Sequence, residues 1–236
     1  MKKIILLASV IISFSVKSQI KALTEDGKEV VLLDNKTWKY VNESDEKTLE
    51  TISNNEQPFE KSKDATFLIK SKRIDAGLYY NPKKWKPTKV SFSSPTLEQV
   101  FTHSSSPNLF ALFVSESAPI QTLKNLKDLI ISGIQKNADY FRLKESEYRT
   151  VNGLKMLHIK YSANTKGIDF EYIGNYYLTS DGYCGVTVYT FANKYGEYKN
   201  EIENFASGLV KTEKAEVAID VVEVAPPPPM STKKSK

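Results

Sequence analysis

Cys184, His103, His158, the acid pair Asp169 and Glu171, and the stretch Tyr79 to Lys89 are the places in this chain with side chains suited to chemistry. A cysteine becomes a nucleophile when a neighbouring base or charge lowers its pKa. Cys184, however, alternates with Val186 and Val188 in an apolar run, the pattern of a small buried side chain. It is the only cysteine, so the chain has neither an internal disulfide nor a thiolate zinc cluster. His103 and His158 lie 55 positions apart on separate expected strands, unlike the one-turn pair of an H-E-x-x-H helix, and packing or surface roles are expected for both. Asp169 and Glu171 could meet calcium, but no segment has the spacing of an EF-hand loop, and solvated charge at a sheet edge is the expectation. No G-x-S-x-G, Walker or dinucleotide fingerprint occurs. The reading is therefore of a chain with no catalytic residue, no cofactor and no metal.

The stretch itself reads YYNPKKWKPTK. Basic and aromatic residues interleaved in this way can form a platform for single-stranded nucleic acid, and Tyr79 with Trp85 could meet a glycan. The competing reading buries Trp85 in the core and leaves Lys83, Lys84 and Lys86 on a solvated turn. Charge favours the second. The formal charge of +5 includes Lys2, Lys3 and Lys17 of a leader that carries no acid, so its removal lowers the total by three to +2. A near-neutral protein offers little to nucleic acid. Tyr79, Lys83 and Lys84 stand as the candidate surface contacts for a partner.

The leader is read from the first residues. Met1-Lys2-Lys3 is followed by an apolar run of eleven residues, Ile4 to Phe14, and then by Ser15-Val16-Lys17-Ser18-Gln19. This is the order of a secretory signal peptide. The run is shorter than the roughly 20 apolar residues a spanning helix needs. Small residues at Val16 and Ser18 suit the positions before a cut, so cleavage is expected after Ser18, with no transmembrane anchor and a periplasmic or secreted location. The sequons at Asn35 and Asn42 matter only in a eukaryotic host.

Residues 19–42 are expected to hold a small hairpin, with Val30 to Leu33 and Thr37 to Val41 as strands and Asp34-Asn35-Lys36 as the turn. From Asp26-Gly27 the order D-G-x-x-V-x-L-x-D-[GN]-x-T-W-x-Y resembles a hairpin that begins many secreted bacterial proteins. Residues 43–63 are acidic, amide-rich and poor in large apolar groups, the composition of a linker. The main domain is expected over 64–211. Its strands are read at Thr66–Lys70, Leu78–Tyr80, Lys89–Phe92, Glu98–His103 and Leu109–Ser115. A helix follows over 122–136, with Thr122 as N-cap and a stripe of Leu123, Leu126, Ile130 and Ile134. Lys124, Lys127 and Lys136 fall away from that stripe.

Asn152-Gly153 and Asp181-Gly182 mark two hairpin turns. On the second hairpin one face carries Phe170, Tyr172, Tyr176, Leu178 and Tyr189, and the other carries Ile173, Tyr177, Cys184, Val186 and Val188. Two apolar faces call for cover on both sides. A helix over 194–209 is expected to provide part of it through Tyr195, Tyr198, Ile202, Phe205 and Leu209. From Thr212 the periodicity fails, and four consecutive prolines, Pro226 to Pro229, mark a stiff, unpacked proline-rich tail over 212–236.

The stretch GLYYNPKKWK resembles the opening of PsbP-like domains, in which an apolar strand runs into Pro-x-x-Trp-Lys; the matching residues are Pro82, Trp85 and Lys86. The order that follows also resembles that family: a Leu-rich helix, VNGLKMLHIKYS, a Tyr-rich hairpin, and a helix ending EIENFASGL. The likeness spans about residues 65–211. Asn81 stands where many members have tyrosine, a departure at the most diagnostic point. The resemblance implies an α+β fold in which an antiparallel sheet is sandwiched between helices. It also implies a non-catalytic binding or assembly factor, here one acting in the cell envelope on an unknown protein or envelope component. The rival readings are an envelope hydrolase with a site assembled from scattered polar residues and a glycan-binding module.

Overall fold

The computed structural model describes residues 20–25, 28–33, 36–42, 44, 46–89 and 94–216. The expected leader and its cut lie outside these residues, as do Asp26-Gly27, Asp34-Asn35 and 217–236.

Strands β1 (Ile20–Leu23), β2 (Glu29–Leu32) and β3 (Trp38–Tyr40) form a small antiparallel sheet in that order. The expected hairpin therefore gains a third strand: Ile20 lies opposite Leu32, and Leu32 opposite Trp38. This sheet is tied to the body of the molecule. Val31 and Val41 bury against Tyr140, and the Phe141 amide donates to the Val41 carbonyl at 2.6 Å.

The segment read as an acidic linker is instead built into the fold. Helix α1 (Glu46–Glu50) is followed by β4 (Ser53–Phe59), which pairs parallel with the long strand β10 (Tyr140–Val151). An edge strand needs few apolar side chains, because its backbone bonds hold it on one side and water takes the other. Here Asn55 Nδ2 donates to Glu147 Oε2 at 3.0 Å and Ser53 Oγ to the Ser146 carbonyl at 3.1 Å. Leu49, Ile52 and Phe59 supply the apolar anchors.

The remaining elements in chain order are β5 (Phe67–Lys70), β6 (Ala76–Tyr80), β7 (Trp85–Thr88), β8 (Leu97–His103), β9 (Leu109–Glu116), α2 (Leu123–Asn137), β10, β11 (Leu154–Thr165), β12 (Ile168–Thr179), β13 (Gly182–Phe191), a 3-10 turn (Ala192–Lys194), α3 (Tyr195–Ala206) and β14 (Leu209–Lys211). The main sheet has eight strands in the order β4-β10-β11-β12-β13-β9-β8-β7, antiparallel except for the β4–β10 pair. Both of its outer strands contain a proline, Pro58 in β4 and Pro87 in β7. A second sheet, β14-β6-β5, lies over one face.

Several expectations shift at their edges. The strand in this region is β7, Trp85–Thr88, within the stretch read as a turn; Lys89, where a strand was expected to begin, is not in a strand, and residues 90–92 are outside the described set. The last helix stops at Ala206, and Leu209 begins β14, opposite Leu78. Gly208 makes that transition close, since a Cβ there would overlap the Tyr79 carbonyl. The tail does not leave the surface at Thr212. Lys214 N–H donates to Asp75 Oδ1 at 3.1 Å and Ala215 N–H to the Ser71 carbonyl at 2.7 Å.

The turns follow local chemistry. Asn152 and Gly153 both have positive φ, at 49° and 77°, as the expected tight hairpin requires. Lys166 and Gly167 do the same between β11 and β12, at 53° and 81°. The third turn centres on Ser180-Asp181, because Gly182 already pairs with Thr179. Gly182 is needed for another reason: a Cβ there would overlap the backbone of Glu116.

Two cores flank the main sheet. On one side Ile173, Cys184, Val186 and Val188 pack with Ile202, Phe205 and Ala206 of α3 and with Leu78, Tyr80 and Leu209 of the small sheet. On the other side Leu126 and Ile131 of α2 pack on Phe141, Leu157, Ile159 and Tyr161. Lys127 is not solvated as its place off the stripe suggested. It is buried, and its ammonium donates to the Thr48 and Thr51 carbonyls at 3.1 and 3.0 Å, tying α2 to the end of α1.

Candidate functional site

Period two in the central strands puts one set of side chains on the α2 face: Phe110 from β9, Tyr189 from β13, Tyr172 from β12 and Tyr161 from β11. These four stand directly opposite one another across the register. Their rings stack in a row, with centroids 5.3 Å apart for Phe110–Tyr189, 5.1 Å for Tyr189–Tyr172 and 4.6 Å for Tyr172–Tyr161. Cross-strand aromatic pairs of this kind each stabilise a sheet modestly.

Helix α2 packs over β10 and β11, so the row runs out from beneath it. A groove of about 560 Å³ opens between Ile130, Gly133 and Ile134 of the helix and Tyr161, Tyr172, Tyr176 and Tyr183 of the sheet. Two features hold it open. Gly133 faces space, since a Cβ there would touch nothing within 4 Å. Tyr176 lies flat across Gly174 and Gly185, where any Cβ would overlap its ring, and its hydroxyl bonds Thr187 Oγ1 at 2.8 Å. At one rim the Tyr183 hydroxyl donates to Glu116 Oε2 at 3.2 Å. Burial pushes the Tyr172 and Tyr176 phenols up to about 12 and raises Tyr183 as well, so all three are neutral near pH 7. The groove presents aromatic faces, aliphatic walls and a few rim polar groups such as Thr96, Asn137 and Thr165.

Sequence reasoning grouped Tyr172, Tyr176 and Tyr189 on one face but expected full cover there. The glycines carried the missing information. Gly133 sits in the middle of a helix, where it costs about 1 kcal/mol against alanine. Gly174 and Gly185 interrupt central strands, a sign of close approach.

The structure places the other sequence candidates apart from this groove. Cys184 is fully buried, and burial drives its thiol well above the ordinary range. Trp85 is 1% exposed. Its indole N–H donates to Glu201 Oε1 at 2.8 Å, and its ring packs on Phe205 and His103, so it is no glycan platform. Lys84 Nζ bonds Glu201 Oε2 at 2.9 Å, an interaction that raises its pKa. Lys83 is exposed, while Tyr79 is half-buried under the Lys61 ammonium at 4.8 Å. Asn81 earns its place in the turn: its Oδ1 accepts from Lys83 N–H at 2.9 Å and its Nδ2 donates to Asp64 at 2.7 Å.

His103 is held low by burial, opposed by Glu201. His158 is fully buried, and burial with the nearby Arg149 lowers it to about 4. Its Nδ1 lies 2.7 Å from Asn175 Oδ1, whose amide in turn donates to the Ala206 carbonyl at 3.0 Å. Asn175 Oδ1 is thus the acceptor, and the imidazole proton sits on Nδ1. Asp169 and Glu171 do not form a site: Glu171 is buried on Lys144 at 2.6 Å, and Asp169 accepts from Asn164 at 2.6 Å. Among the described residues no three His, Cys, Asp or Glu side chains are grouped to hold a metal ion.

Solved structures resemble this arrangement. The cyanobacterial PsbP (CyanoP) from a Synechocystis species superposes with a TM-score of 0.51 at 14% identity, over 64% of this chain and 94% of that one. The fold is PsbP-like. A protein of unknown function from Pseudomonas aeruginosa matches at a TM-score of 0.42 and 10% identity, over 63% of this chain and all of that one. A protein from Bacteroides thetaiotaomicron matches at 0.40 and 9%, over 63% of this chain and 51% of that one. No protein-family model and no curated protein sequence matches the chain. Within the PsbP-like sheet the tyrosine groove lies under α2, and the Pro-x-x-Trp-Lys turn closes the opposite face. Among the described residues no helix is long and apolar enough to cross a membrane.

Proposed function

We propose that this protein is an exported, non-catalytic binding or assembly factor of the cell envelope, and that it binds its partner in the groove between α2 and the tyrosine row. The observation that carries this reading is the groove itself: an open apolar trough with flat aromatic faces and few polar groups is a binding surface. Glu116, the carboxylate on its rim, is engaged by a phenol. Export rests on the order of residues 1–18, and intact mass of the envelope-located protein should show a chain beginning at Gln19. A mass that retains Met1–Ser18 would refute the address.

The binding role is tested by capture from envelope extract with the wild-type chain and with Gly133→Leu. The leucine side chain would project into the groove from a position that tolerates it. Wild type should retain a partner that Gly133→Leu loses by at least tenfold. Equal capture by both would overturn the groove as the site.

A further inference from the structure

The groove under α2 holds a single acidic side chain and no basic one. Glu116 lines it, and no lysine, arginine or histidine does. Glu116 ends β9, directly opposite Tyr183 of β13, and the Tyr183 hydroxyl donates to its Oε2 at 3.2 Å. That bond holds the carboxylate at the rim and leaves its charge in place, because the phenol keeps its proton. A carboxylate accepts on both oxygens and at more than one site on each, so one phenol does not exhaust it.

The other glutamates show what is unusual about this one. Glu98, Glu145, Glu147, Glu171, Glu201 and Glu203 are also buried or half-buried. Each lies against a lysine or arginine: Glu98 against Arg73, Glu145 against Lys160, Glu147 and Glu203 against Arg149, Glu171 against Lys144, and Glu201 against Lys84. Among the described residues Glu116 has no such basic partner. Its charge therefore stands uncompensated at the edge of an apolar trough, and what fills the trough meets it. An anionic ligand would be repelled there. A cation would gain twice, from the carboxylate and from the tyrosine ring faces, which attract positive charge. A guanidinium suits both, since it is planar, stacks on aromatic rings and pairs with a carboxylate through two parallel N–H bonds.

We infer that the ligand of the groove is an apolar segment of the partner protein that carries one arginine, whose guanidinium enters at the Tyr183–Glu116 rim. This rests on the groove being the binding site; it adds the charge and chemistry of what binds. The guanidinium supplies Glu116 with the basic partner that the chain itself gives its other glutamates. The apolar side chains beside it cover the trough along Ile130 and Ile134, where Gly133 leaves room for them.

The test uses the full chain and blocked tripeptides: leucine–arginine–leucine, the same peptide with citrulline, and the same with glutamate. Citrulline keeps the shape of arginine without its charge. Binding is followed through the aromatic proton–carbon NMR signals of Tyr172, Tyr176 and Tyr183. The arginine peptide should move these signals and bind about tenfold more tightly than the citrulline peptide, the difference that a hydrogen bond to a charged group makes. Its affinity should fall as salt is raised, and the glutamate peptide should not bind. Glu116→Gln keeps an acceptor for the Tyr183 hydroxyl. It should lower the arginine peptide to the citrulline affinity and abolish the salt dependence, with the melting temperature unchanged. Equal binding of the arginine and citrulline peptides would overturn the basic ligand. So would an arginine peptide that leaves the tyrosine signals unmoved, or one that Glu116→Gln holds as tightly as wild type. Hexylguanidinium, titrated alongside, separates a free organic cation from a peptide: binding tighter than that of the arginine peptide would overturn the partner segment as its source. None of these failures decides the groove itself, which stands or falls on whether Gly133→Leu loses the envelope partner.

Discussion

Trp85 and His158 are buried side chains that satisfy the same demand in different ways. Trp85 fills the space between β7 and α3 and directs its one N–H to Glu201. Trp85→Ala should cost roughly 3–5 kcal/mol in denaturant melts, the range for emptying a large aromatic site. Lys83→Ala, on the exposed turn, should stay within about 0.5 kcal/mol. His158 makes stability depend on pH. Its folded value of about 4 is below the ordinary value, so on acidification the unfolded chain takes up a proton first. The stability this group provides is complete above about pH 6.5 and is lost as pH falls toward 4, by roughly 3 kcal/mol over that window. His158→Gln should flatten this part of the pH–stability curve. An unchanged slope between pH 6.5 and 4 would mean that the loss comes from other groups.

At the scale of elements, α1 and β4 depend on contacts made far along the chain. Lys127 is the bond between α2 and α1, and a buried ammonium needs those carbonyls. Lys127→Ala should raise hydrogen exchange at residues 46–52 selectively and cost about 1–3 kcal/mol; uniform loosening of the whole sheet would contradict the local role. The same contacts explain what was legible in the sequence. Elements whose own side chains set a period could be read: α2 with its Thr122 cap, the Asn152-Gly153 hairpin, and the two apolar faces of β12 and β13. β4 could not, because its residues are polar and its strand state comes from the backbone of β10, about ninety positions away. The Lys166-Gly167 turn lacks the asparagine or aspartate that marks such turns. The groove was half legible: its tyrosines were on the right face, but where α2 would sit over that face depends on tertiary packing.

At the scale of the whole molecule, β4 and β7 are the outer strands of the eight-stranded sheet among the described residues, and each carries a proline. An exposed edge is a template on which another chain can add a strand. Proline has no N–H for such a ladder and is tolerated in sheets at edges. Pro58 and Pro87 therefore act as end-stops: they leave the sheet finite and steer any self-association to other surfaces. Replacing Pro87 with valine would restore a donor and a β-branched side chain to the outermost strand. The variant should form concentration-dependent, β-rich oligomers on mild heating, visible by light scattering and thioflavin fluorescence, under conditions where the parent chain stays monodisperse. A Pro87→Val protein that scatters like the parent would show that the twist of β7, rather than its missing amide, keeps two such sheets from joining end to end.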